Sequence, residues 1–211
     1  MQANPHRQGA PVTRSRQPIG VVLAGGPGTR MGGAKVTVAL RGRPLLCYPI
    51  DALRSVLADV AVISKAEVVL PQLDGVMVWI EPDAPRHPFV GVVEALALAG
   101  GRPVLVCPVD FPFLSSELLV SLLSARAEDH PAVLAAAHGV PRPLLGCYQP
   151  AAAPLLSEAI AHGTDPEDAL EILHPALLEV VDETQLVDVD TPDDLLQAAA
   201  MLDRLRPLLR S

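Results

Sequence analysis

IGVVLAGGPGTRMGGAK, residues Ile19–Lys35, decides the fold of this 211-residue chain. Its first five residues form a short apolar run that stops at glycines, which predicts a buried strand. Five of the thirteen residues from Leu23 to Lys35 are glycine, and two, Arg30 and Lys35, are cations. Glycines let successive backbone N–H groups turn together into a concave nest for an anion, and the two cations add positive charge beside it. A strand running into such a loop predicts a polyphosphate site at the carboxyl edge of a sheet.

Two common phosphate loops fail at defined residues. A Walker A loop requires GxxxxGK[ST]. Gly28 and Gly33 have that separation, but Ala34 stands where lysine is needed, and Val36 cannot ligate magnesium. A dinucleotide fingerprint requires GxGxxG, and Met31 occupies the place of its last glycine.

Outward from the loop, the chain alternates strand and helix. Val60–Ile63 and Val76–Ile80 read as further buried strands, and Pro103–Cys107 as another. Pro44–Leu57 reads as a helix with Pro44 near its first position and a bend at Pro49. Phe89–Ala99, ended by Gly100 and Gly101, and Ser116–Ala125 read as helices. In the second half, strands are expected at Ala132–Ala136, Leu144–Tyr148, Leu177–Val181 and Leu186–Val189, and helices at Ala151–Ala161 and Pro166–Leu173. Thr191 is placed to cap a last helix, with Pro192 at its first position and Asp193 and Asp194 at its positive end. Strands apolar on both faces imply a mainly parallel sheet covered on both sides, a Rossmann-like three-layer α/β/α arrangement. Residues 18–211 are expected to form one domain. Residues 1–17 (MQANPHRQGAPVTRSRQ) carry three arginines, no acid and no apolar core of a signal peptide, which reads as a disordered leader.

Bulk properties exclude several classes. The net charge of −8 argues against nucleic acid as partner. No apolar run is long enough to span a membrane. Cys47, Cys107 and Cys147 lie far apart with no metal-ligand spacing, as expected of reduced thiols in a cytoplasmic protein. Fourteen of the sixteen basic residues are arginine, so a lysine at the end of the glycine loop stands out.

LAGGPGTRMGGAK resembles the signature of nucleotidyltransferases that activate phosphorylated metabolites. The likeness continues in VALRGRPLL (Val38–Leu46), in CPVDFPFL (Cys107–Leu114), similar to that group's metal-binding CxxDxPxL, and in VDVDTPDDL (Val187–Leu195). It spans residues 19–200. The short gap between Arg30-Met31-Gly32 and Lys35, and the compact length, are most similar to the MobA-type molybdenum cofactor guanylyltransferases. Gly139–Ile160 resembles their mid-chain substrate segment.

The resemblance implies a nucleotidyltransferase that joins GTP to the terminal phosphate of molybdopterin and releases pyrophosphate, with Mg²⁺ as cofactor. It implies that the backbone of Leu23, Ala24, Gly25 and Gly26 meets the nucleotide, and that Arg30 and Lys35 hold its β- and γ-phosphates. Asp110 is the expected principal Mg²⁺ ligand, with Asp188 or Asp190 supplying a second carboxylate. Asp83 falls near the base- or ribose-contacting acid, one residue out of register, so Glu81 is the alternative. Ser64 lies near a nucleotide-contacting position, and Arg142 is a candidate for the pterin phosphate. The histidines, His87 and His138 among them, read as surface or packing residues. Transient contact with cofactor-receiving enzymes is implied as well.

Two departures bear on the nucleobase. Ala34 stands where members often carry Asp, and Asp188-Val-Asp190 stands where guanylyltransferases tend to show asparagines, a version closer to the cytidylyltransferase sister group. CTP, or another phosphorylated acceptor, is therefore the nearest alternative. A non-catalytic nucleotide-binding or cofactor-delivery module is the alternative from another class.

Overall fold

The computed structural model describes residues 17–25, 35–125 and 130–205. In chain order the elements are β1 (Ile19–Leu23), β2 (Ala39–Leu40), β3 (Arg43–Pro44), α1 (Cys47–Arg54), β4 (Val60–Ser64), β5 (Met77–Ile80), α2 (Val90–Leu98), β6 (Val104–Pro108), α3 (Ser116–Ser124), β7 (Ala132–Ala137), β8 (Val140–Tyr148), α4 (Ala152–Ala161), α5 (Pro166–Leu173), β9 (Ala176–Glu179), a 3-10 turn (Glu183–Leu186) and α6 (Pro192–Leu205). Seven strands form one sheet in the order β5-β4-β1-β6-β8-β7-β9. All its pairings are parallel except those of β8, which runs antiparallel to both β6 and β7. The expected α/β architecture with a mainly parallel sheet is the one observed.

Strand alternation builds the layers. Val22, Val62, Leu105 and Cys107 face one side, where Ile50 and Leu53 of α1 and Leu118, Leu119 and Leu122 of α3 cover them. Val21, Ala61, Val104 and Val106 face the other, under Val92 and Ala95 of α2, Leu156 of α4 and Leu173 of α5. The inner strands β1, β4, β6 and β7 bury both faces, which is why the sequence shows continuous apolar runs there rather than alternation. A smaller cluster of Leu40, Leu45, Val189 and Ala198 fastens the β2–β3 hairpin to α6.

Several expectations are corrected. The first helix begins at Cys47, because Pro44 is taken into β3, where it pairs with Ala39. Pro49 then falls in the first turn of α1, where a missing N–H removes no intrahelical bond. The run at 76–80 forms a strand, but an edge strand: Met77, Val78 and Ile80 are 39–51% exposed. Its crossover from β4, residues 65–76, contains no helix and instead packs Val68, Leu70, Leu73 and Val76 on the core. Leu186–Val189 is not a strand; the 3-10 turn ends at Leu186. The proposed leader, apart from Gln17, lies outside the described residues.

The start of α6 matches its sequence signal. Thr191 Oγ1 accepts from the Asp194 amide at 3.2 Å, while Asp194 Oδ2 accepts from the Thr191 amide at 2.8 Å, a reciprocal capping arrangement. The Thr191 contacts hold the Asp194 carboxyl below its ordinary value. Thr191→Ala should therefore lower stability by about 1 kcal/mol, within the range of lost N-caps, read as a shift in urea midpoint at unchanged slope.

Candidate active site

The carboxyl ends of β1, β4, β5 and β6 open onto a cleft of about 980 Å³. Lys35, Asp110 and Asp190 line it together, although 155 positions separate the first from the last. Each is anchored by its neighbour in the chain. Val36 is buried in the core beside Lys35. Val109, just past β6, donates its amide to the Leu23 carbonyl at 3.1 Å, which fixes Asp110 beside the end of β1. The buried Val189 donates to the Asp110 carbonyl at 3.0 Å, which draws Asp190 to the same spot.

Lys35 Nζ donates to Asp110 Oδ2 at 2.5 Å and also to Asp190 Oδ1. One ammonium thus bridges two carboxylates. Burial by itself would lower the Lys35 pKa, but Asp110 and Asp190 outweigh it and hold the ammonium above its ordinary value. At Asp110 the balance goes the other way: burial pushes the carboxyl up, and Lys35 only partly offsets it. The two directions are compatible because Lys35 is served by two anions, whereas Asp110 shares one cation and feels Asp190 as a like charge. The second Asp110 oxygen, Oδ1, is buried without a hydrogen-bond partner among the described residues. Buried carboxylate oxygens are rarely left so.

A family model for the MobA-like NTP transferase domain matches residues 20–179. The chain belongs to the MobA-like NTP transferase family.

Among its relatives, a molybdenum cofactor guanylyltransferase of Rhizobium johnstonii is 31% identical over 209 residues, covering 89% of this chain and 94% of the relative. That of Cereibacter sphaeroides is 29% identical over 189 residues, covering 87% and 96%. Two solved structures share the fold. Molybdopterin-guanine dinucleotide biosynthesis protein A from Archaeoglobus fulgidus has a TM-score of 0.73 at 23% identity, covering 88% of this chain and 99% of that one. A 2-C-methyl-D-erythritol 4-phosphate cytidylyltransferase from Thermus thermophilus has a TM-score of 0.66 at 22% identity, covering 88% and 98%. The chain is a nucleotidyltransferase by family.

This MobA-like NTP transferase sorts the candidate residues sharply. Leu23, Ala24 and Gly25 line the cleft with Lys35, Asp110 and Asp190. The Ala24 amide, however, donates to the Ile63 carbonyl at 2.8 Å, so it is not a free donor for a ligand, a correction to the expected role of that amide. Gly26 and Arg30 lie outside the described residues. Asp188 is exposed and does not line the cleft, so of the two late carboxylates Asp190 is the one that joins Asp110 on Lys35. Ser64 is 1% exposed and turned into the fold, where its hydroxyl makes no hydrogen bond among the described residues; it is not a cleft residue. Asp83 and Glu81 both line the cleft, but Asp83 is exposed whereas Glu81 is buried. Arg142 is exposed on β8 and does not line the cleft.

His87, read from the sequence as a surface or packing residue, and Lys65, which the sequence reading did not single out, both line the cleft. His87 accepts from the Phe89 amide at Nδ1 (3.2 Å), and its Nε2 lies 3.1 Å from the Thr164 carbonyl, so the neutral ring with its proton on Nε2 satisfies both contacts. Lys65 follows Ser64 directly and reaches the cleft that Ser64 does not. It is the only other lysine in an arginine-rich chain, the same signal that singled out Lys35.

Proposed function

We propose that this chain transfers GMP from GTP to the terminal phosphate of molybdopterin, giving the guanine dinucleotide cofactor and pyrophosphate. The observation that carries the reading is the Lys35 ammonium held between Asp110 and Asp190 on the floor of the cleft. The names of the relatives, both molybdenum cofactor guanylyltransferases, supply the substrate pair.

An oxygen of the acceptor phosphate forms a bond to the α-phosphorus of GTP. The bond from that phosphorus to the oxygen bridging to the β-phosphate breaks, and pyrophosphate leaves with the electron pair. Both partners are anions, so the chain's task is to hold them in line and offset their repulsion. Lys35 is a compact point charge on a flexible stem, suited to following charge from the triphosphate to the departing pyrophosphate. The backbone of Leu23, Ala24 and Gly25 lines the same cleft and would meet the nucleotide.

Mg²⁺ fits the residues present. A cation already sits between Asp110 and Asp190, and the unpartnered Asp110 Oδ1 offers a hard oxygen. Magnesium is commonly held by one or two protein carboxylates and completed by substrate phosphates. Asp110 and Asp190 would hold it, and when bound it supplies charge neutralisation at the phosphoryl oxygens.

The test is purified protein with Mg²⁺, molybdopterin and each of the four nucleoside triphosphates, read by the mass of the dinucleotide product. The expected result is product with GTP and equimolar pyrophosphate. Product with CTP alone would overturn the guanylyl assignment in favour of the cytidylyl one that Asp190 keeps open. No helix among the described residues is long and apolar enough to cross a membrane.

A further inference from the structure

Glu81 is a buried acid in the wall of the cleft. Its side chain is 11% exposed, and its one cationic partner among the described residues is Lys65, with Nζ 3.4 Å from Oε1. The carboxylate fits because its neighbours are glycines: a Cβ on Gly91 would stand 2.6 Å from Oε2, and one on Gly25 would collide with Oε1. Gly25 closes the end of β1 and Gly91 lies in the first turn of α2, so the acid is seated between two bare stretches of backbone. Lys65 Nζ also donates to the Pro82 carbonyl. An ammonium carries three donors, so two contacts leave one for a ligand.

Lys35, Asp110 and Asp190 stand at the β6 end of the cleft, and Lys65 and Glu81 at the ends of β4 and β5. Three inter-strand spacings, roughly 14 Å, separate β6 from β5, and the Glu81 carboxylate reaches back across part of that distance to the backbone of Gly25, past the end of β1. A nucleotide whose phosphates lie at Lys35 therefore brings its base toward Lys65 and Glu81. A donor set beside a two-oxygen acceptor has a chemical complement. Guanine presents the O6 acceptor next to two adjacent donors, N1–H and N2–H. Adenine presents an N6 amine where guanine has O6, and that amine faces an ammonium unfavourably.

We propose that Lys65 is a specificity-determining residue, donating to the 6-oxo group of a purine whose N1–H and N2–H donors are taken by Glu81. The inference rests on the nucleotidyl-transfer reading above and adds to it the residue that selects the base. Lys65 here touches the base, not the reacting phosphorus, so its loss changes which nucleotide binds more than how fast a bound one reacts.

The experiment is calorimetric titration of the full chain with GTP, ATP and CTP, each with Mg²⁺, for wild type, Lys65→Met and Lys65→Arg, with a thermal midpoint recorded for each. The wild type should prefer GTP. In Lys65→Met, GTP affinity should fall by about 10- to 100-fold, the scale of one charge-assisted hydrogen bond, while ATP affinity holds or rises, so that discrimination collapses. Lys65→Arg keeps a charged donor beside Glu81 and should retain a GTP preference. If Lys65→Met weakens GTP and ATP equally, Lys65 serves the fold or the phosphates and the proposal is wrong. The same holds if the preference survives unchanged. If the wild type binds no nucleotide, or binds CTP in preference to GTP, the guanylyl reading itself has failed, an outcome separate from a wild type that prefers GTP without help from Lys65.

Discussion

Asp110→Asn is expected to cut turnover by about 10³-fold or more while the protein remains folded, on the scale of removing a charged group that stabilises a transferring phosphoryl. Asparagine keeps the shape of the side chain and its contact distance to Lys35. It removes the charge that sets Lys35 in place and replaces the open carboxylate with a far weaker metal ligand. Stability should not suffer, and the sign follows from the raised pKa of Asp110. A carboxyl whose folded value lies above its unfolded one favours the fold in its protonated form. That contribution is complete below the unfolded value and is lost as pH rises through the folded value. At neutral pH the ionised, desolvated carboxylate is a burden, and the neutral amide relieves it. The thermal midpoint of the variant should hold or rise, while pyrophosphate release with GTP and acceptor collapses. Near-normal turnover in a well-folded variant would turn the account toward a non-catalytic nucleotide-binding module.

Lys35→Met carries the second large effect, and it divides into two measurements. Turnover should fall by about 10²–10³-fold, because a cation aimed at the triphosphate is gone. Divalent binding to the nucleotide-free protein should strengthen, because the ammonium that bridges Asp110 and Asp190 competes for the same carboxylates. Titration of Mn²⁺ followed by electron paramagnetic resonance reads this directly. Without its cation, Asp110 should also retain a proton to higher pH than in the wild type, because Lys35 is what offsets its burial. A variant that loses activity and binds Mn²⁺ more weakly would mean that Lys35 organises the carboxylates rather than competing for them.

The sheet and its two helical layers were legible because the strands at 19–23, 60–64 and 104–108 bury both faces, and the first and third are bounded by glycine or proline. Their apolar runs leave little choice of architecture. The edge position of β5 was not legible: Met77, Val78 and Ile80 are as apolar as core residues, and exposure there follows from strand order, which composition does not encode. Asp110 could be named in advance because it lies just past the end of β6, whose direction fixes its side of the sheet, and Lys35 because it ends the glycine-rich stretch that follows β1. Asp188 and Asp190 could not be separated. The choice rests on a backbone bond from Val189 to Asp110, a contact across 79 positions that no local pattern announces. Ser64 and Lys65 show the same limit at one-residue scale, since a single step past the end of β4 decides between core and cleft. Lys65 did carry a signal, its rarity as a lysine, and reading that signal at both lysines would have placed it in the site.

The account turns on where the divalent ion and the phosphates meet the chain. Crystals grown with GTP and Mn²⁺, measured at a wavelength where manganese scatters anomalously, locate that point without reference to turnover. The predicted result is an anomalous peak within coordination distance of an Asp110 oxygen and of the triphosphate, with Lys35 on a phosphate oxygen. A peak away from Asp110, or a triphosphate bound elsewhere while Lys35 stays between Asp110 and Asp190, would contradict it.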